Sequence, residues 1–188
     1  NSKALDAIRE CDYLIIGPGD LYTSLIPNLI VSGISEEIVK SNCRIIYISN
    51  LMTKRGQTTG YKVLDHVNDI EKYLERKVDF ILINSGEISE DGIKRYMEKS
   101  GDVSVEDDMA NNVRVVRKNI ISDVKFENNS SDKTFRSLVR HDSYKLAEEI
   151  KNIIDKSTKF SDEVSGLFNE FKNLITSWEG ICYTLHPC

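Results

Sequence analysis

Four short runs of branched apolar residues, almost without polar interruption, constrain the fold of this chain more than any other feature. Tyr13-Leu-Ile-Ile16, Ile45-Ile-Tyr-Ile48, Phe80-Ile-Leu-Ile83 and Val113-Arg-Val-Val116 begin 32, 35 and 33 residues apart. A strand with one wet face alternates apolar and polar residues, whereas a continuous run fits a strand covered on both faces. Helical spacing fills the gaps: Val63, Val67, Ile70 and Leu74 form one stripe, and Ile93, Tyr96 and Met97 another. Strand and helix in regular alternation are the βαβ rhythm of a parallel sheet. The expected class is therefore α/β, with helices near 34–40, 62–75, 89–99 and 142–156 covering both sheet faces. Residues 122–132 read as a polar turn, and Phe160–Trp178 as an amphipathic helical tail.

Composition narrows the function classes. An apolar fraction of 40% and a charged fraction of 29% describe a globular chain. Twenty-five Lys and Arg against 30 Asp and Glu, net −5, argue against a nucleic-acid partner, which calls for a basic surface. No apolar run approaches the roughly 18–20 residues that span a bilayer, so no membrane partner is expected. The N-terminus lacks the apolar core of a signal peptide and also an initiator Met, which leads us to expect that the protein begins upstream of Asn1. Cys11, Cys43, Cys182 and Cys188 show no CxxC spacing, which favours free thiols and a cytoplasmic location.

In open α/β sheets, ligands gather outside the carboxyl ends of the strands. The first run enters Gly17-Pro18-Gly19-Asp20-Leu21-Tyr22-Thr23-Ser24, where glycine permits close backbone approach and Thr23 or Ser24 can cap a helix. The second ends at Ser49-Asn50 and enters Leu51-Met52-Thr53-Lys54-Arg55-Gly56-Gln57-Thr58-Thr59-Gly60, whose two cations and three Thr hydroxyls suit a phosphate or a polar sugar. The third ends at Asn84-Ser85-Gly86, also polar. Each loop alone is equally readable as a solvated turn; their convergence on one edge is the stronger signal. His66 reads as a surface or capping histidine, and Asp142 as a helix cap beside Arg140, whose guanidinium can reach an anion. Glu106-Asp107-Asp108 reads as a solvated acidic turn rather than a Mg²⁺ cage, and Cys182, His186 and Cys188 do not make a convincing metal site. No metal and no catalytic residue are assigned.

Ile16-Gly-Pro-Gly-Asp-Leu-Tyr-Thr-Ser24 with Asn28 beyond it, Asn50-Leu-Met-Thr53, Asp65-His66, Arg95-Tyr96-Met97-Glu98 and Val139-Arg140-His141-Asp142 together resemble the YvcK/CofD family. The YvcK-type branch, the gluconeogenesis factors, is the more similar one. The resemblance covers about residues 4–156 and implies a Rossmann-like, CofD-like sheet lacking its N-terminal half. It divides the chain into a domain at 1–156 and a tail at 157–188 without a family counterpart. It also implies a cytoplasmic regulator that binds a UDP-sugar such as UDP-N-acetylglucosamine, linked to carbon metabolism, cell-wall synthesis and cell shape. Such a regulator implies a cell-wall or metabolic protein as partner, and is compatible with a homo-oligomer. By motif position the nucleotide sugar falls on Tyr96 and Arg140, with the Gly17–Ser24 loop in the same cleft. The rival from another class is a CofD-like transferase that moves 2-phospho-L-lactate from a guanosine diphosphate carrier to a deazaflavin with Mg²⁺. One departure bears on ligand choice: Lys54-Arg55-Gly56-Gln57-Thr58 stands where the YvcK type carries Gln-Pro-Gly-Glu-Thr.

Overall fold

A computed structural model describes residues 2–123, 139–160 and 163. Helix α1 (Ser2–Glu10) leads into β1 (Tyr13–Ile16), and a π-helical turn, Leu21–Leu25, runs into α2 (Ile26–Leu29) and α3 (Ile34–Lys40). Then follow β2 (Arg44–Ile48), α4 (Val63–Leu74), β3 (Phe80–Asn84), α5 (Glu90–Ser100) and β4 (Val115–Lys118). The four strands form one parallel sheet in the order β1-β2-β3-β4, so the βαβ rhythm is realised. Register pairs Ile16 with Tyr47, Tyr47 with Ile81, and Ile81 with Val115 along one face. Against that face lie Ile8 of α1, Leu29 of α2, Ile38 of α3 and the Val67–Ile70–Leu74 stripe of α4, in one continuous core.

Two details depart from the sequence reading. Cover on both faces holds for β2 and β3, where Ile46, Ile48 and Leu82 are buried opposite the main core. On β1 it does not: Ile15 is 44% exposed, and among the described residues β1 pairs with β2 alone. The fourth strand also lies two residues later than its apolar run. Val113 is 99% exposed in a turn, where Asn111 is left-handed and the Asn112 carboxamide accepts the Arg114 N–H. The turn sets Arg114 to anchor the strand. Its guanidinium donates to the buried Glu71 carboxylate (2.5 Å) and to the Val78 carbonyl (3.0 Å).

The chain divides into two units, Asn1–Ala147 and Glu148–Cys188. In the second, residues 148–160 are helical, with a Lys151–Asp155 pair one turn apart. Most of the expected 160–178 helix, residues 124–132 of the expected polar turn, and Cys182, His186 and Cys188 lie outside the described residues. Cys11 and Cys43 are free thiols packed in the same core, as expected.

Glu71 supports a stability prediction. Burial pushes its pKa up, but hydrogen bonds from Lys77 and Arg114 outweigh that and hold it below the ordinary carboxylate value. Its contribution is therefore complete above an unfolded value of 4.5 and is lost as pH falls through the lower folded value. Glu71→Gln is expected to cost about 2–3 kcal/mol at neutral pH, the scale of charged hydrogen bonds. Urea unfolding should show the gap from the wild type closing below pH 4.5.

Candidate functional site

At the carboxyl edge of the sheet, backbone requirements come first. Gly17 follows β1 with φ +93°, and a Cβ there would stand 3.0 Å from the Ile48 carbonyl oxygen, so only glycine lets the β1 loop cross the end of β2. The Gly17–Pro18 peptide is cis. The Asp20 carbonyl then accepts the N–H groups of Ser24 and Leu25, starting the π-helical turn. Thr23 and Ser24 are inside this turn and cap nothing, because the turn begins before them. Leu21 is buried in the core, Tyr22 bonds Tyr61 and Asp69 on the α4 side, and Asn28 donates to the Ser24 carbonyl. These residues, with Gly17, shape the loop and do not line the cavity it borders.

The β2 loop is held as tightly. Asn50 donates through Nδ2 to the Gly19 carbonyl at 2.8 Å, tying the two loops together, while its Oδ1 accepts the Tyr47 hydroxyl. Thr53 and Leu51 are stitched to segment 103–105 by three hydrogen bonds of 2.8–3.0 Å. Thr58 is buried: its Oγ1 accepts the Lys54 N–H and its own N–H returns to the Lys54 carbonyl. Gly56 supplies the positive φ at the tip of that turn. Thr58 and Gly56 thus aim Lys54 without lining the cavity themselves.

A distant segment closes the site. Ser122 donates to the Arg140 carbonyl and Asp142 to the Ile120 carbonyl, an antiparallel bridge that brings 139–142 to the same edge. The Asp142 carboxylate accepts the N–H groups of Tyr144 and Lys145, so it caps the following helix as read from the sequence.

Between these loops lies a cavity of about 520 Å³. Of the sequence candidates, Pro18, Gly19, Asp20, Asn50, Met52, Thr53, Lys54, Tyr96 and Arg140 line it. Lys54 and Arg140 are the cationic side chains of the wall, and Lys54 pairs with Asp20 at 3.4 Å. The floor is apolar: Leu51, Met52, Tyr96 and Val139 form a small core of their own. Leu51, Val139, His141, Ser143 and Leu146 also line the cavity; none was assigned to the site from the sequence, although Leu51, Val139 and His141 stand within its motifs. Adjacency to assigned residues was the available signal for Leu51, Val139 and His141, and nothing local marked Ser143 or Leu146. Burial above all pushes the His141 pKa down to about 4, against a hydrogen bond to the Ser49 backbone, so its imidazole is neutral. His66 corrects the surface reading. It is fully buried, with Nδ1 on the Lys62 carbonyl and Tyr61 edge-on to its ring, because it lies on the core-facing stripe of α4. Burial is also the main cause lowering its pKa.

The acidic run 106–108 is exposed, as read from the sequence, and each carboxylate has its own partner. Glu106 pairs with Lys62, Asp107 with Arg117, and Asp108 accepts the Leu64 N–H. Among the described residues no group of three His, Cys, Asp or Glu is placed to hold a metal ion. No helix there is long and apolar enough to cross a membrane.

A family model described as "2-phospho-L-lactate transferase CofD" matches residues 1–123. A "Putative gluconeogenesis factor" of Thermotoga maritima is 41% identical over 151 residues, covering 80% of this chain and 46% of its own. The "Gluconeogenesis factor" of Bacillus subtilis is 34% identical over 156 residues, covering 81% and 46%. A crystal structure of a Bacillus halodurans protein matches with a TM-score of 0.68 at 34% identity, over 80% of this chain and 46% of that one. The chain thus spans about half the length of the curated relatives it matches.

The neutral imidazole makes a pH prediction. Its folded pKa of about 4 lies below the ordinary 6.5, so the unfolded chain binds the extra proton and stability falls as pH drops from 6.5 toward 4. An NMR titration of the His141 ring should find its midpoint near 4, and His141→Gln should flatten the acid limb of the stability profile.

Proposed function

The chain belongs to the CofD family, alongside the gluconeogenesis factors, and from that membership we propose that its cavity binds a nucleotide sugar of the UDP type. The observation that carries the reading is the pairing of two cations from different loops, Lys54 and Arg140, above an apolar floor with a buried tyrosine. Two cations lining one cavity suit a diphosphate, which takes charge-assisted hydrogen bonds from both. Tyr96 offers a flat apolar surface to a base or ribose. Binding rather than catalysis is the activity assigned to the cavity. Occupancy by the sugar nucleotide would report on carbon supply to a cell-wall or metabolic partner, in the cytoplasm.

The family model's own description favours a second reading, transfer of 2-phospho-L-lactate from a guanosine diphosphate carrier. That reaction calls for Mg²⁺, and the residues of this cavity do not fit an ion cage: Asp20 is the carboxylate among its lining residues and is paired with Lys54. Calorimetric titration with UDP-N-acetylglucosamine and with GDP separates the two. Preference for the UDP-sugar supports the regulator, whereas preference for GDP together with phospholactate transfer supports the transferase.

Arg140→Ala is expected to weaken UDP-N-acetylglucosamine binding by ~1.5–3 kcal/mol, the scale of a charged hydrogen bond. Unchanged affinity in the same titration removes Arg140 from the site. Tyr96→Phe is expected to retain stacking and most of the affinity, and Tyr96→Ala to lose it.

A further inference from the structure

A second, smaller cavity of about 220 Å³ opens on the same edge of the sheet, and nothing in the nucleotide-sugar reading uses it. It lies between the ends of β2 and β3. Asn50 and Leu51 line both cavities, so the two are chambers separated by one stretch of backbone. That partition is held in place: the Asn50 carboxamide is fixed at both ends by the Gly19 carbonyl and the Tyr47 hydroxyl, and Leu51 is bonded to Val105. The far wall is equally set. The Asn84 carboxamide donates to the Gly86 carbonyl and accepts the N–H groups of Gly86 and Ile120, and a Cβ at Gly86 would fall 2.2 Å from Asn119 Oδ1.

The two chambers differ in charge. The larger presents Asp20, Lys54 and Arg140; none of the residues lining the smaller is ionisable. Its surface combines the methyl groups of Val63, Ile83, Ile88 and Ile93 with the hydroxyls of Ser49 and Ser104. A phosphate placed there would lose water without gaining a counter-charge, which is strongly unfavourable. A flat base would find no aromatic surface there, since Tyr96 belongs to the larger chamber. A neutral ring with CH faces and a hydroxyl rim fits both kinds of lining.

We propose that this neutral chamber seats the sugar ring of the nucleotide sugar, with diphosphate and base held in the larger, charged cavity. The proposal rests on the nucleotide-sugar reading and adds the direction in which the ligand lies: across the Asn50–Leu51 partition, sugar toward β3.

Methyl NMR on the 188-residue chain tests it, with ¹³C-labelled isoleucine and methionine and two probes, UDP and UDP-N-acetylglucosamine. The Met52 methyl, in the larger cavity, is expected to shift with both. The Ile83, Ile88 and Ile93 methyls are expected to shift with the sugar nucleotide alone. Isoleucine shifts with UDP itself would put base or phosphate in the small chamber and overturn the proposal. Met52 shifts with no isoleucine response to either probe would overturn it while leaving the nucleotide-sugar reading standing. Silence of all four methyls with both probes would remove that reading, and this one with it. As a second readout, Ser104→Phe, which fills the small chamber, should lower affinity for UDP-N-acetylglucosamine at least tenfold and leave UDP within twofold. An equal loss for both ligands, or for neither, counts against the proposal.

Discussion

The burial of β2 on both faces is the constraint on which the rest of this protein depends. Ile45 and Tyr47 face the core built with α1–α4, while Ile46 and Ile48 are covered on the opposite side. With no water on either side, the peptide groups of β2 are satisfied by parallel ladders to β1 and β3. The entry to the strand is equally fixed, since the Arg76 guanidinium donates to the carbonyls of Ile38, Ser41 and Cys43. A strand held at one end and along its length delivers its carboxyl end to one place. The Ile48 carbonyl there forces glycine at position 17, and two residues later Asn50 ties the β1 loop to the partition between the cavities.

Charge is distributed by the same logic. Glu71, Arg114, Asp107 and Arg117 lie at or near the β4 side of the sheet and bind one another or backbone carbonyls, so they hold elements together. Lys54 and Arg140 line a cavity, on loops whose backbones are committed elsewhere. Lys54 with Asp20 sets a local charge pair at its edge, and the neutral His141 adds no charge. The result is an edge divided into a charged chamber over an apolar floor and an uncharged one beside it. That division suits a ligand that is itself part anion and part neutral ring.

Periodicity made the parallel sheet legible because continuous branched apolar runs have few other stable outcomes in a globular chain. It misplaced β4, where a turn bonded through Asn112 took Val113 out of the strand, and it overstated the cover of β1, whose apolar residues do not reveal an edge. The loop motifs marked nine wall residues of the larger cavity. They also drew in Leu21, Tyr22 and Thr58, because motif membership does not distinguish a residue that shapes a loop from one that faces its cavity. His66 shows the same limit: its position on the core stripe of α4 outweighed the polarity that suggests surface.

By itself, then, the sequence determined the alternation of strand and helix, the glycine-bearing exit from β1, the polar strand ends and the helix cap at Asp142. Each depends on residues close in the chain or on a short period. Only tertiary structure decided which side chains share a cavity. Arg140 joins Lys54 and Tyr96 in one cavity lining through the bridge between Ile121 and His141, and the second chamber is bounded where segment 103–105 is stitched to 51–53. Those are pairings between backbone groups far apart in sequence. Every peptide carries the same donor and acceptor, so no residue type announces which distant partner its own backbone will find.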